Sequence, residues 1–168
     1  MPDTAMSGLG EQKRNNNMEL TRQTTINASA DKVWKILGAD FNNISEWASF
    51  VLESKADPDL PDGGGRVCQV AGFGATTESL YEFDDQRRKL GFTFVGKKNP
   101  FFMKEIKNGW QVEPKGEDQA VVHTDIQVKL MPVFKQLLSG PMSKMMGKRV
   151  EKILSELKYF SENGKALV

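Results

Sequence analysis

Apolar and polar residues alternate along most of this chain, and the period changes to a helical one near its end. Val122, Thr124, Ile126, Val128 and Leu130 are separated by single polar residues. This is the pattern of a strand with one buried and one solvated face. Shorter stretches repeat it, so the sequence predicts seven antiparallel strands with one wet face. The first strand begins near Met18, and the others cover 50–55, 66–71, 76–84, 90–95, 104–114 and 120–130.

The end of the chain has the period of an amphipathic helix of about twenty residues. Its apolar stripe, at steps of three and four, consists of Met142, Met146, Val150, Ile153, Leu157 and Phe160. Its polar side consists of Lys144, Lys148, Glu151, Lys152, Glu156 and Lys158. Pro141 suits the first helical turn, where its missing N–H is not needed. Gly164, after Asn163, predicts the end of the helix.

Two short helices are predicted between the first two strands. Ser29 is a typical N-cap, and Val33 and Trp34 supply the apolar face of the helix that follows. The second helix or turn covers 41–47. The predicted fold class is therefore α+β: a seven-stranded curved antiparallel sheet wraps around a long C-terminal helix, and the short helices close one end.

Length and composition are those of a single globular domain. The chain has 168 residues, of which 39% are hydrophobic and 27% charged, and these values are ordinary for such a domain. We expect a disordered tail over 1–17, a domain over 18–162 and a C-terminal tail over 163–168. A net charge of +1 argues against a nucleic-acid partner, and no apolar run predicts a membrane span.

The cysteine content favours a cytoplasmic setting. Cys68 is the only cysteine, so no intrachain disulfide can form. Within a strand, a lone cysteine is typically a small buried hydrophobe. We expect no metal, no cofactor, and a monomer or weak dimer.

The order and spacing of several stretches resemble the START-like superfamily, also called SRPBCC or the birch-pollen-allergen (Bet v 1-like) fold. The resemblance is strongest to its polyketide cyclase/dehydrase and lipid-transport branch, and it extends from Met18 to about Phe160. The matching stretches are 26–34, 41–47, 65–68, Glu78, 83–84, 110–114 and the terminal helix. The resemblance implies a helix-grip fold with a hydrophobic cavity between the concave sheet and the long helix.

Strand alternation predicts which side chains face that cavity. The candidate ligand-binding residues are Phe50, Leu52, Glu78, Leu80, Phe92, Phe94, Ile106, Asn108, Trp110, Thr124, Ile126, Met142, Met146 and Val150. Most are apolar and a few are polar, which is the composition of a small-molecule site. The pattern alone also allows these side chains to fill the space themselves, but the resemblance favours a cavity.

Glu78 is the most informative of these residues, because it is a carboxylate with the same strand parity as the inward Leu80. A buried carboxylate without a partner is costly. Glu78 is therefore expected either to anchor a ligand hydroxyl or water, to pair with Arg66, or to act as a general base. By strand parity, His123 is predicted to be a surface residue.

Two departures from relatives favour a neutral ligand over an acidic one. Hormone-receptor relatives hold a ligand carboxylate with a lysine on the second strand, where this chain has Leu52. Ile106 replaces an aromatic hydroxyl on the sixth strand. Phe73 is interpreted either as part of a mobile lid or as part of a plain hairpin turn. The Phe101–Phe102 pair, in the loop over 97–103, is predicted to plug one cavity mouth.

Three functions fit the sequence. The first is binding or transport of a small hydrophobic ligand (a lipid, polyketide or isoprenoid-like molecule). The second is an aromatic polyketide cyclase/dehydratase that uses Glu78 for proton transfer. The third is a protein-interaction module, like the co-chaperone branch of the superfamily, with a packed core. A cyclase needs several proton-handling groups inside the cavity, and only Glu78 is convincing, so we favour the first.

Overall fold

A single antiparallel sheet dominates the computed structural model, which describes residues 17–61, 63–95 and 101–167. Its strands are β1 (Asn17–Ile26), β2 (Val51–Ala56), β3 (Gly65–Val70), β4 (Gly74–Asp84), β5 (Lys89–Val95), β6 (Met103–Pro114) and β7 (Ala120–Leu130). The strand order is β1-β7-β6-β5-β4-β3-β2. The helices are α1 (Ala30–Trp34) and α2 (Pro132–Asn163). The predicted helix-grip fold is confirmed.

The segment between β1 and β2 is helical, as predicted. Ser29 caps α1 by accepting a hydrogen bond from the backbone N–H of Lys32 at 3.3 Å. A π-helical turn (Lys35–Ala39) and a 3-10 helix (Phe41–Glu46) follow. Trp34 ties α1 to the turn after β4, because its Nε1 donates to Asp85 Oδ1 at 2.6 Å.

Helix α2 is longer than the sequence predicted. It has 32 residues and begins at Pro132, so Pro141 lies inside the helix and not in its first turn. The prediction was wrong because Val133 and Leu137 are exposed. The first turns of α2 therefore lack the buried apolar stripe by which a helix is recognised. The predicted end is confirmed: Gly164 has a φ of 69° and caps the helix.

The sequence pattern placed Glu156 on the solvent side of α2, and this prediction was wrong. Glu156 is 2% exposed and accepts hydrogen bonds from the backbone N–H of Ser49 at 3.1 Å and from Ser49 Oγ at 2.5 Å. Ser49 lies between the 3-10 helix and β2, so this contact fixes the β2 end of the sheet to α2. A buried carboxylate is tolerated here because it is hydrogen-bonded.

The two halves of α2 have different surroundings. Val150, Leu154 and Leu157 are buried in the main core, together with side chains from β1, β7 and the short helices. Met142 and Met146 are only partly buried. The C-terminal half of α2 thus closes the core, while the N-terminal half covers a space above the sheet.

The predicted N-terminal tail and the loop before β6 lie mostly outside the described residues. Asn17 already belongs to β1. The rest of the predicted tail, 1–16, lies outside the described residues, as do 97–100 of the loop before β6. Within the described ranges, no helix is long and apolar enough to cross a membrane.

Candidate ligand-binding cavity

A cavity of about 470 Å³ lies between the concave face of the sheet and α2. Its wall comes from β2 to β7, from the short helices, and from the stretch of α2 between Met142 and Ile153. Most of the wall is aliphatic, aromatic or methionine side chain. The helical segment over Lys35–Glu46 contributes Ile36, Leu37, Phe41 and Ile44 and closes one end, as predicted.

All of the predicted site residues except Leu52 and Leu80 line this cavity. Those that do are Phe50, Glu78, Phe92, Phe94, Ile106, Asn108, Trp110, Thr124, Ile126, Met142, Met146 and Val150. Strand parity therefore identified most of the wall. The structure places these side chains around one space, and their role in binding stays a prediction.

Leu52 and Leu80 are corrections to the predicted wall. Leu52 is 63% exposed, whereas its neighbour Val51 is 5% exposed and lines the cavity. Phe50 and Val51 both contribute to the wall, and the β2–β3 register shifts between Val51 and Glu53. This irregularity breaks the alternation that was counted from Phe50. Leu80 is partly buried and packs against the main core, but it does not line the cavity.

Glu78 pairs with Arg66, which was one of its three predicted roles. Arg66 Nε donates to Glu78 Oε2 at 2.8 Å, and Arg66 Nη2 lies 2.6 Å from the same oxygen. The guanidinium also donates to the backbone carbonyl of Phe41 and stacks on the Phe41 ring at 3.9 Å. Both charged side chains are buried, so the pair forms a compensated polar element in an apolar wall.

Burial changes the pKa values of two side chains in this part of the wall, Glu78 and Cys68. Burial raises the pKa of the Glu78 carboxyl, and the positive charge and hydrogen bond of Arg66 pull that pKa back down. Burial also raises the pKa of the Cys68 thiol to about 12. Cys68 is completely buried and stays a neutral thiol at physiological pH, as a structural cysteine does.

A second polar group in the wall consists of Asn108, Trp110 and Thr124, whose side chains hydrogen-bond to one another. Asn108 Oδ1 accepts a hydrogen bond from Trp110 Nε1 at 2.6 Å, and Asn108 Nδ2 donates to Thr124 Oγ1 at 2.9 Å. Asn108 Nδ2 also donates to the backbone carbonyl of Asp125 at 2.8 Å. His123 does not line the cavity and lies 3.3 Å from Glu113. The polar side chains of the wall are therefore largely occupied with one another.

The mouth of the cavity combines Phe73, which the sequence offered as a lid or a plain hairpin turn, with two α2 residues that sequence reasoning missed. Phe73 lies in the hairpin between β3 and β4, where Gly72 and Gly74 have φ angles of 79° and 80°. Met145 and Arg149 of α2 also line the cavity, and the Arg149 guanidinium carbon is 4.3 Å from the centre of the Phe73 ring. On a helical wheel, Met145 and Arg149 border the stripe that contains Met142 and Met146, but their place at the mouth depends on contact with a hairpin far away in sequence.

The predicted phenylalanine pair divides between the cavity and the surface. Phe102 lines the cavity, whereas Phe101 is 77% exposed. Both rings contact Phe134 of α2, with ring centres 5.2 Å apart for Phe102 and 5.5 Å apart for Phe101. Phe102 thus narrows this end of the cavity, and Phe134 connects it to the start of α2.

Comparison with known proteins agrees with the fold. Residues 18–160 match the family described as polyketide cyclase / dehydrase and lipid transport, and the chain belongs to that family. The resemblance to the START-like superfamily is thereby confirmed. A search of curated proteins found no match.

Solved structures show the same fold at low sequence identity. XoxI from Bacillus cereus superposes with a TM-score of 0.69 at 18% identity, covering 86% of this chain and 96% of that one. An uncharacterized protein from Bacillus thuringiensis gives 0.65 at 17% identity, with coverages of 83% and 98%. Ara h 8.0201 gives 0.64 at 10% identity, with coverages of 86% and 97%.

Proposed function

We propose that this protein binds a small hydrophobic molecule in the cavity between the sheet and α2, and carries it without chemical change. The observation that carries this proposal is the cavity itself, about 470 Å³ with a largely apolar wall. That volume lies within the roughly 300–1,000 Å³ typical of small-molecule pockets. The family description, which names lipid transport, supports the same class of ligand.

The methionines of the wall suit this role. Met142, Met145 and Met146 come from α2 and form part of the lining. Unbranched methionine side chains repack easily around ligands of different shape. The opposite wall contains Phe92, Phe94 and other strand residues that hold their positions in the sheet.

The bonding of Glu78 favours binding over the cyclase alternative. A cyclase needs more than one proton-handling group in its cavity. Glu78 is paired with Arg66, and the neutral Asn108 and Thr124 are bonded to each other, so the described wall offers no second acid or base to work with Glu78. A packed interaction module, the third alternative, would not be expected to enclose this volume.

Native mass spectrometry of protein purified from its own host tests the proposal. We expect a complex that exceeds the mass of the chain by a few hundred daltons and releases an apolar molecule on denaturing extraction. The recovered molecule should rebind unchanged to the stripped protein. Recovery of a chemically altered product after this incubation would overturn the carrier function in favour of an enzyme.

A further inference from the structure

Arg149 is a cation at the mouth of a largely apolar cavity. It lines the cavity beside Met145 and Met146, and its guanidinium stacks on Phe73 at 4.3 Å. Within residues 17–61, 63–95 and 101–167, no carboxylate lies within 4.0 Å of Arg149, and its guanidinium donates no hydrogen bond. A guanidinium stacked by its face keeps its N–H donors at the edge, where they can meet a planar anion.

The second arginine of the cavity wall differs in this respect. Arg66 is 4% exposed and has its charge compensated by Glu78 at 2.6 Å. A ligand anion would gain little from Arg66 without first displacing Glu78. Arg149 is thus the arginine of the described wall whose charge remains available to a ligand.

The sequence around Arg149 reinforces this charge. From Leu130 to Val150 the chain contains four basic residues, Lys135, Lys144, Lys148 and Arg149, and neither aspartate nor glutamate. Over the whole chain the net charge is only +1. Positive charge is therefore concentrated along the half of α2 that covers the cavity, and it attracts anions to this end of the molecule.

We infer that the ligand is an amphipathic anion whose apolar body fills the cavity and whose carboxylate head group binds Arg149 at the mouth. This inference rests on the proposed function and specifies the chemistry of its ligand. It differs from the neutral ligand that the sequence favoured. That expectation depended on Leu52, which lies outside the cavity, and on Ile106, which lines it. The structure supplies a cation from a different element, α2.

Isothermal titration calorimetry with a matched pair of probes tests this inference. Decanoate and 1-decanol share an apolar chain and differ in the head group. We expect the protein to bind decanoate about five- to tenfold more tightly than 1-decanol, because a charge-assisted bidentate contact is stronger than a neutral one. In Arg149→Met, the ratio of the two affinities should fall to about one.

Lys148→Met is the matched control, because Lys148 is an exposed neighbour outside the cavity lining. It should retain the preference for decanoate. Equal binding of the two probes by the unmodified protein, or a preference that survives in Arg149→Met, would overturn the inference and leave the proposed function intact. The inference also fails if Lys148→Met loses the preference as fully as Arg149→Met. Binding of neither probe would count against the proposed function itself.

Discussion

Arg66 and Glu78 form a buried ion pair in the cavity wall, with 2.6 Å between Nη2 and Oε2 and side chains that are 5% and 7% exposed. The pair joins the adjacent strands β3 and β4, where the two residues are directly opposite each other. It also holds the 3-10 helix through the Phe41 carbonyl. A residue that the sequence marked as a possible catalytic group thus fixes the architecture of the cavity.

Removing one partner of this ion pair should lower the free energy of unfolding much more than removing both. Glu78→Leu leaves the Arg66 guanidinium buried without its counter-charge, and we expect the free energy of unfolding to fall by about 3–5 kcal/mol. The double variant Arg66→Met/Glu78→Leu buries no charge and should be more stable than Glu78→Leu alone. Urea unfolding measures both. The single variant Arg66→Met completes the comparison. If the double variant loses as much stability as Glu78→Leu and Arg66→Met lose together, the two residues do not stabilise each other.

The contact between Glu156 and Ser49 should be important for stability. Glu156→Ala leaves the Ser49 N–H and hydroxyl without their acceptor, and we expect a loss of about 1–3 kcal/mol. Ser49→Ala removes only the hydroxyl donor and keeps the backbone contact, so its loss should be smaller. Thermal unfolding of the two variants checks the order. Equal stability of Glu156→Ala and the unmodified protein would mean that Glu156 is solvated after all.

Two glycines should respond in opposite directions to the same substitution. Gly147 lies inside α2, and an added Cβ would meet only the end of the flexible Arg22 side chain, 3.2 Å from Nη2. Arg22 can move aside, so Gly147→Ala should stabilise the protein by about 0.5–1 kcal/mol through helix propensity. A Cβ on Gly65 would lie 2.2 Å from the backbone oxygen of Glu78, so Gly65→Ala should destabilise it.

Chemical denaturation of both alanine variants tests this contrast. Destabilisation by Gly147→Ala would show that Arg22 cannot move away from the added methyl group. A neutral Gly65→Ala would show that β3 and β4 can separate enough to accept a methyl group.

Protonation of Glu162 in acid should lower the stability of the protein. Its Oε1 accepts from Lys158 Nζ at 2.6 Å and from the backbone N–H of Asn27 at 2.7 Å. These two hydrogen bonds hold the pKa of Glu162 below its ordinary value of 4.5. Because the folded-state pKa is the lower one, the stabilisation is complete above the unfolded pKa and is lost as the pH falls through the folded pKa.

The variant Glu162→Gln isolates this contribution. At neutral pH we expect it to lower the free energy of unfolding by about 1 kcal/mol, since the neutral amide oxygen accepts hydrogen bonds more weakly than an ionised carboxylate. Below the folded-state pKa the two proteins should become equally stable, because the glutamate is then protonated in both states. A difference that stays constant across this pH range would refute the proposed linkage.

Periodicity predicted the sheet well because one buried face requires regular alternation. Strand β7 was predicted as 120–130 and is observed as Ala120–Leu130. The same rule failed at Leu52, where the register shift after Val51 interrupts the alternation. Local sequence gives no sign of such a shift, since it depends on how β2 meets β3.

The features that were missed all depend on contacts between distant segments. Glu156 is polar and lies among lysines in the sequence, yet Ser49 makes its burial acceptable. Arg149 belongs to the cavity mouth because the Phe73 hairpin lies against it. Periodicity assigns a residue to one side of a helix, but it does not identify what packs there.

Binding of 1-decanol to a cavity-filling variant tests the central claim most directly. Met146→Trp places a larger side chain in the lining, and Leu52→Trp makes a comparable change on an exposed site outside it. Calorimetry should show binding to the unmodified protein and to Leu52→Trp, and at least tenfold weaker binding to a folded Met146→Trp, since the added indole occupies the ligand's space. Unchanged affinity in Met146→Trp would contradict the assignment of this cavity as the ligand site.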